Sequence, residues 1–360
     1  MPVSVPPLIY QELIQSADAG YLNRQTQEII DRQAMPFGDF AMQTREVVDM
    51  SNGIVRVGLQ VSDQGENQGW DRGDLLQFAE NMPTKEFQFS VYNEHRGLTI
   101  WDTDLMNAGY EVDFNSQSKT LASPLSSSEK TRLRNLIAAK VNNFRDAAKV
   151  SFDRVLHLDG SLDTKRTVGL DAALPFNRLG SYGGILRSDS KIQHYFATGL
   201  TYTLGGTLEE GLNYAFWQAR LNGRATKRGT YRIICGRGFA DRYRRFARNN
   251  NMQIQTPIEG SKSMDLNISD SGLRYMGMPL EIDPTFELLD ALYAPTPLWT
   301  MRCYILHEEA FVLGLFNKND WGMTVAAPVA EVRNLKASLD WRVTFFNKNP
   351  NSCAVVACAT

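Results

Sequence analysis

Apolar and polar positions along the chain fall into stretches of two different periods. Leu8, Ile9, Leu13, Ile14 and Ala17 share one face of a helical period, and Leu22, Ile29 and Ile30 form a weaker second stripe, which predicts two short helices within 8–34. The period then shortens. Ile54–Val61 reads as a strand, and in Lys85–Tyr92 the side chains of Phe87, Phe89 and Val91 alternate with polar neighbours. Leu98–Asp102 is strand-like again. Asn93–Gly97 between them reads as a turn, so 85–103 is expected to form a β-hairpin. An isolated hairpin is marginal in water and needs a surface beneath it.

The clearest element follows. Leu133, Leu136, Ile137, Val141, Phe144, Ala148, Phe152 and Val155 keep i, i+3/i+4 spacing, with Arg132, Arg134, Lys140, Arg145 and Lys149 on the other face. Ser126 and Glu129 have capping-box spacing, and Gly160 follows the end. These features predict one helix over 127–157, about 45 Å long at ~1.5 Å per residue. The stripe is not a sustained heptad, so a rod carrying a sheet fits better than a coiled coil. Thr207–Glu210 is a second capping box, opening a helix with Leu208, Leu212, Phe216 and Ala219 inward and Gly223 at its end. Tyr231–Cys235 reads as a buried strand before a helix at Phe239–Asn249. Arg274–Asp283, Met301–Leu306 and Phe311–Phe316 read as strands, and Trp341–Phe346 with Cys353–Ala357 as a terminal hairpin across Asn347–Asn351.

With 360 residues, 43% hydrophobic and 22% charged, the chain can bury a large core and is expected to form about two domains. A net charge of −2 argues against a dedicated nucleic-acid binder. No apolar run approaches the ~18 residues of a membrane helix, and the N-terminus lacks the basic head of a secretory signal. The charge is unevenly placed: residues 1–126 carry 18 acids and 8 bases. That third includes polar, glycine-rich 62–74, and it is expected to lack a core of its own and to gain order by lying on another surface.

Candidate chemistry is sparse. Cys235, Cys303, Cys353 and Cys358 form no C-x-x-C pair and read as buried thiols. His95, His157, His194 and His307 are too scattered for a metal pair. His307-Glu308-Glu309-Ala310-Phe311 has Phe311 where a zinc-protease helix needs its second ligand. Cys235-Gly236-Arg237-Gly238 approaches a dinucleotide loop, but Asp241 stands at the third glycine position. No cofactor and no metal are expected, and no catalytic residues. The densest feature is basic: Arg224, Lys227, Arg228, Arg232, Arg237, Arg242, Arg244, Arg245 and Arg248 lie within 25 residues with one acid, Asp241. Tyr231, Phe239, Tyr243 and Phe246 interleave them. A protein interface with acidic neighbours is the preferred reading, over a phosphate-binding patch or a solvated helix face.

The order of motifs resembles one family. GLDAALPFNRLGSYGGILRSDSKIQHYFATG (169–199) is similar to the stretch after the long helix of tailed-phage major capsid proteins, where a G-L-D-A-L segment leads to a Y-G-G-I-x-R-S turn. Here these are Gly169-Leu170-Asp171-Ala172 and Tyr182-Gly183-Gly184-Ile185-Leu186-Arg187-Ser188. MGMPLEIDPTF (276–286), MRCYILHEEAFVLGL (301–315) and WRVTFFNKNPNSCAVV (341–356) resemble that family's later strands in the same order. The resemblance covers 126–360 by these motifs and the first 125 residues by layout.

The resemblance implies an α+β fold, the capsid fold shared by tailed phages, herpesviruses and encapsulins. It implies an N-terminal arm at 1–50 and an extended loop at 51–112. A peripheral domain would comprise 113–200 and 317–360, with the spine helix at 127–157, and an axial domain 201–316. It implies a major capsid protein, not an enzyme, that assembles as hexamers and pentamers into an icosahedral shell around double-stranded DNA. The alternatives are an encapsulin-like nanocompartment shell or an α/β enzyme with an unrecognised site. Expected partners are further copies of itself, a portal, a separate scaffolding protein, decoration proteins, and packaged DNA held weakly and without sequence preference. No membrane is expected, and the location is the virion, after assembly in the host cytoplasm. No cleaved N-terminal scaffolding segment is expected. Some relatives crosslink a loop lysine; Lys85 is the only lysine in 1–118, and no crosslinked ladder is expected. Inter-subunit contact candidates are Lys85, Arg96, Arg228, Arg237, Arg242, Arg244 and Arg245.

Overall fold

The structure, a computed structural model, describes residues 3–5, 35–59, 85–101, 110–112, 127–189, 192–203, 205–223, 231–249, 273–293, 295–316, 322–325 and 334–359. In chain order these form strand β1 (Val3–Val5), helix α1 (Pro36–Gln43), β2 (Arg45–Val47), β3 (Ile54–Leu59), β4 (Lys85–Ser90), β5 (Tyr92–Trp101) and β6 (Tyr110–Val112). The long helix α2 (Ser127–His157), α3 (Leu170–Ala173), β7 (Ser181–Tyr182), β8 (Ile185–Leu186), β9 (Tyr195–Leu200) and α4 (Leu208–Gly223) follow. Next are β10 (Tyr231–Cys235), α5 (Arg237–Asn249), β11 (Arg274–Tyr275), β12 (Met278–Ile282) and α6 (Thr285–Tyr293). The chain closes with β13 (Arg302–His307), β14 (Phe311–Leu315), β15 (Gly322–Val325), β16 (Asn334–Asn347) and β17 (Ala354–Cys358). The mixture is α+β, as expected. Two compact units hold these elements: the described residues within 1–34, 92–155 and 315–343, and those within 35–91, 156–314 and 344–360.

In the first unit, the leading part of β16 pairs antiparallel with β5, from Asn334↔Trp101 to Val343↔Tyr92, and with β15, from Gly322↔Asp340 to Val325↔Ala337. One face of this ribbon lies on α2. Ile137, Val141, Phe144, Ala148 and Phe152, all from the predicted stripe, are buried. Trp341 meets Phe152 edge-on at 6.1 Å. Ala337, Leu339, Trp341 and Val343 are buried, while Lys336, Asp340 and Arg342 between them are exposed. That alternation is the two-residue period of a strand with one covered face. β1 pairs parallel with β6.

In the second unit, six strands run in the order β11-β12-β10-β13-β17-β9. β10 is antiparallel to β13 and parallel to β12, and β17 is antiparallel to β13 and parallel to β9. Every residue of β13 and β17 is buried. On one face lie Leu208, Leu212 and Phe216 of α4 with Phe239 and Phe246 of α5, packed with Ile233, Ile305 and Val356. On the other, Phe286 of α6 and Trp299 stand 5.9 and 6.3 Å from Tyr304. Phe37 and Phe40 of α1 are fully buried in the same unit, Phe37 edge-on to Phe345 and Phe40 edge-on to Phe311.

The structure corrects several sequence expectations. Residues 85–103 are not a hairpin. β4 pairs with β3, Ile54↔Ser90 to Leu59↔Lys85, whereas 92–101 is one continuous strand whose partner is β16. The polar run Asn93–Gly97 is the exposed edge of an alternating strand rather than a turn. The terminal hairpin is also absent: a 3₁₀ turn at Pro350–Ser352 carries the chain away from β16, and β17 is a central strand between β13 and β9. β13 and β14 likewise belong to different sheets. The 274–283 strand is divided by a tight turn at Met276 and Gly277, both at positive φ. α5 begins two residues earlier than predicted, and α1 and α6 were not anticipated. The first third does hold core residues on its own chain: Phe37, Phe40, Val55, Phe87 and Phe89 are buried. The two helices predicted within 8–34, the polar 62–74 stretch and the Ser126–Glu129 cap lie outside the described residues or side chains.

Candidate assembly surfaces

The motif segment 169–188 is a structural joint. A Cβ on Gly169 would stand 2.0 Å from the Leu156 carbonyl oxygen, so only glycine lets the chain pass there. Asp171 Oδ1 accepts from Arg302 Nη1 at 2.9 Å. Arg302 is buried, and its Nε and Nη2 donate to the Pro297 carbonyl at 3.0 and 2.8 Å. Its guanidinium lies 4.0 Å from the Trp299 ring centroid and 5.1 Å from that of Phe176. Burial raises the Asp171 carboxyl above its usual value, against the pull of Arg302.

Gly183 and Gly184, at φ 56° and 84°, turn β7 into β8 as a two-residue hairpin demands. A Cβ on Gly183 would come within 2.7 Å of Phe87 and 3.0 Å of Phe89. The Gln88 N–H donates to the Gly183 carbonyl at 3.0 Å, and Phe89 stacks on Phe346 at 4.6 Å. The Asn347 N–H donates to the Tyr182 hydroxyl at 2.8 Å. The β3–β4 pair is thus rooted on the Y-G-G-I turn. Lys85 at that root pairs with Asp189.

The other contact candidates meet different fates. Arg96 donates to the Ala147 carbonyl at 2.7 Å and lies 5.7 Å from the Phe144 ring, within the first unit. Arg228 lies outside the described residues. Arg237, largely exposed, stands 3.6 Å from Glu287. Arg242 covers the Tyr202 ring at 5.6 Å, and Arg244 pairs with Asp241 at 3.0 Å. Arg245 is exposed. Arg232, in the same basic run, forks onto Glu281, with Nε 3.1 Å from Oε1, and reaches Gln43. The acid for Arg232 therefore comes from β12, not from the acidic first third. Apart from Arg244–Asp241, an i, i+3 pair on one helix, these contacts join residues 40 or more apart and leave no local mark in the sequence.

Sequence reasoning missed the exposed apolar faces. Tyr214, Trp217 and Leu221 line the outside of α4, and Leu288, Leu292 and Tyr293 the outside of α6. Their i, i+3, i+7 spacing on α4 was a readable signal beside the inward Leu212 and Phe216.

The groups weighed for chemistry have structural partners, except that both ring nitrogens of buried His307 lack a hydrogen bond. Gly236 and Gly238 open α5 where a Cβ would strike the Thr300 backbone at 2.4 Å and the Met301 side chain at 2.7 Å. Close packing, not a phosphate, therefore accounts for that glycine pair. His307 ends β13, and Glu308–Ala310 is a 3₁₀ turn rather than a zinc-protease helix. His194 Nε2 donates to the Pro175 carbonyl at 2.7 Å, and burial pushes its pKa down to about 4. His157 and Asp283 are a fully buried pair at 3.3 Å. Burial works against the Asp283 carboxylate, but His157 and the N–H groups of Thr285 and Phe37 hold its carboxyl below the usual range. All four cysteines are buried free thiols, and burial pushes Cys358 up to about 12. An open groove of about 620 Å³ is lined by Gln43, Arg232, Met276, Glu281 and Glu308 among others, with its arginine already held by Glu281. No helix among the described residues is long and apolar enough to cross a membrane.

No protein-family model matches the chain, and no curated protein matches it in sequence. Solved structures do match. The chain is similar to the capsid subunit of cyanophage A-1(L), with a TM-score of 0.60 and 14% identity over 91% of this chain and 93% of that one. It is also similar to the capsid of an empty GTA particle, with a TM-score of 0.51 and 11% identity over 90% of each chain. For the capsid of a native GTA particle the TM-score is 0.50 and the identity 10%, over 90% and 91%. At such identities the shared property is the fold, and it extends over nearly the whole of each chain. The chain has the fold of tailed-phage major capsid proteins.

Proposed function

We propose that this chain is the major capsid protein of a tailed phage, forming hexamers and pentamers that close into an icosahedral shell around double-stranded DNA. The observation that carries the reading is the likeness to the cyanophage A-1(L) capsid subunit over 91% of the chain. The exposed apolar faces of α4 and α6 supply surface for association. On this reading the protein is not an enzyme. Its buried arginines, histidines and glycines hold the joint between segments rather than a substrate.

The arm is 1–50 and the extended loop 51–112. The peripheral domain is 113–200 with 317–360, and the axial domain is 201–316. The chain's partners are its own copies, a portal, a separate scaffolding protein, decoration proteins, and DNA held weakly through the backbone. The virion is its location, reached after assembly in the host cytoplasm. Lys85, Arg96, Arg228, Arg237, Arg242, Arg244 and Arg245 remain the contact candidates, Arg237 and Arg245 being exposed.

Electron microscopy of the purified, concentrated chain tests this. Closed shells bearing five- and six-membered rings are expected. A discrete monomer at every concentration overturns the reading. Shells that enclose a co-purifying protein cargo in place of DNA would move it to a nanocompartment.

A further inference from the structure

The outer face of α4 carries a continuous stripe: Glu210, Tyr214, Trp217 and Leu221, at i, i+4, i+7 and i+11, are all exposed. Trp217 is 55% exposed and Leu221 61%, unusual values for such side chains on one helix. The aromatic part is already ordered. Tyr214 meets Tyr195 at 5.0 Å and Trp217 at 6.0 Å, and its hydroxyl accepts from Gln218 Nε2 at 2.9 Å. A rigid Tyr–Trp pair loses little freedom on binding and is the composition of interface anchors.

α5 has the opposite character. Arg237 and Arg245 are exposed, Arg242 is half-exposed, and no large apolar side chain is exposed among its described residues. Two α5 faces would repel each other. Guanidinium groups do, however, stack on Trp and Tyr rings and pair with carboxylates.

We propose that the α4 stripe of one copy docks on the basic α5 face of a second copy, with Glu210 opposite Arg245 and the Tyr214–Trp217 pair beneath the arginine side chains. This rests on the capsid reading and names a contact within it. On that reading each copy offers its α4 stripe to one neighbour and its α5 face to the other, a head-to-tail contact that repeats into rings when the rotation closes.

Charge exchange in the full-length chain tests it, read by sedimentation velocity across a concentration series. Glu210→Arg and Arg245→Glu each raise the concentration for half-assembly by about tenfold. The chain carrying both substitutions returns to within about threefold of the parent, because opposite charges face each other again. Trp217→Ala weakens assembly and is not rescued by either. Circular dichroism stays that of the parent in all of them, and assembly is read where every variant is folded, since Glu210→Arg also removes a first-turn acid from α4 and lowers its denaturation midpoint; the double variant keeps that lowered midpoint while recovering assembly. Single variants that assemble like the parent, or a double variant that does not recover, overturn the contact and leave the capsid reading standing. A parent chain that never associates overturns both.

Discussion

The six-stranded sheet of the second unit and the β5–β16–β15 ribbon of the first treat their faces differently. β13 and β17 are buried along their whole length, with α4 and α5 on one face of the sheet and α6 against Tyr304 on the other. The ribbon is covered on one side by α2, while Asn93, His95, Thr99 and Trp101 on β5 and Asp340 and Arg342 on β16 stay exposed. β16 itself changes character midway: Lys336, Asp340 and Arg342 are exposed beside buried neighbours, and Val343–Asn347 are all buried. One strand thus passes from a half-finished setting to a finished one. The sheet can hold itself together as a single molecule. On the proposed reading, the ribbon and the α4 stripe have surface left for other copies.

The largest expected effect lies in the finished unit. Arg302→Ala strips the partners from Asp171 and the Pro297 carbonyl in a buried setting, and it is expected to cost about 4 kcal/mol in denaturant unfolding of the dissociated chain. A loss under about 1 kcal/mol would mean that this cluster does not hold the joint.

The next effect is a pH dependence. His194 is neutral in the folded chain because burial lowers its pKa to about 4, whereas unfolded histidine titrates near 6.5. Below about pH 6.5 the unfolded chain gains a proton that the folded chain refuses. Stability is therefore complete above that pH and falls as pH drops toward 4, by up to about 3 kcal/mol. In His194→Gln this part of the pH profile should flatten; an unchanged slope would assign it elsewhere.

Gly183→Ala is expected to cost about 2 kcal/mol, since it places a methyl group against Phe87 and Phe89 at a φ of 56°. The loss should appear first as faster proteolysis near 85–91, where β4 is rooted. The smallest effect belongs to the ribbon. His95 and Asp340 are 2.5 Å apart but 66% and 54% exposed, so His95→Ala should change stability by less than about 0.5 kcal/mol. A loss as large as that of Arg302→Ala would erase the contrast between the two regions.

The parts legible in the sequence were those with local causes. The α2 stripe is continuous from Ile137 to Val155 and its expected face is buried, but Arg145, expected on the opposite face, is buried too. The α4 and β10 patterns were equally local. α1 and α6 carried readable signals that went unused: Pro36 precedes Phe37, Phe40 and Ala41 at i, i+3, i+4 spacing, and Asp283-Pro284 opens α6, with Asp283 Oδ1 accepting the Thr285 N–H at 2.9 Å. Strand partners could not be read. β5 and β16 pair across more than 230 residues, so nearness in sequence suggested hairpins at 85–103 and 341–357 that do not form. The apolar Cys353–Ala357 run fits a hairpin arm and a central strand equally well. Among the candidate contacts, residue type found the basic run, but the acids that hold Arg232 and Arg237 arrive from β12 and α6, brought there by the fold.

Amide hydrogen exchange on assembled particles and on the dissociated chain tests the central claim most directly. The account predicts added protection at 92–101 and 210–221 on assembly, with 302–307 and 354–358 equally protected in both states. Particles in which 92–101 and 210–221 exchange as they do in the free chain would contradict it.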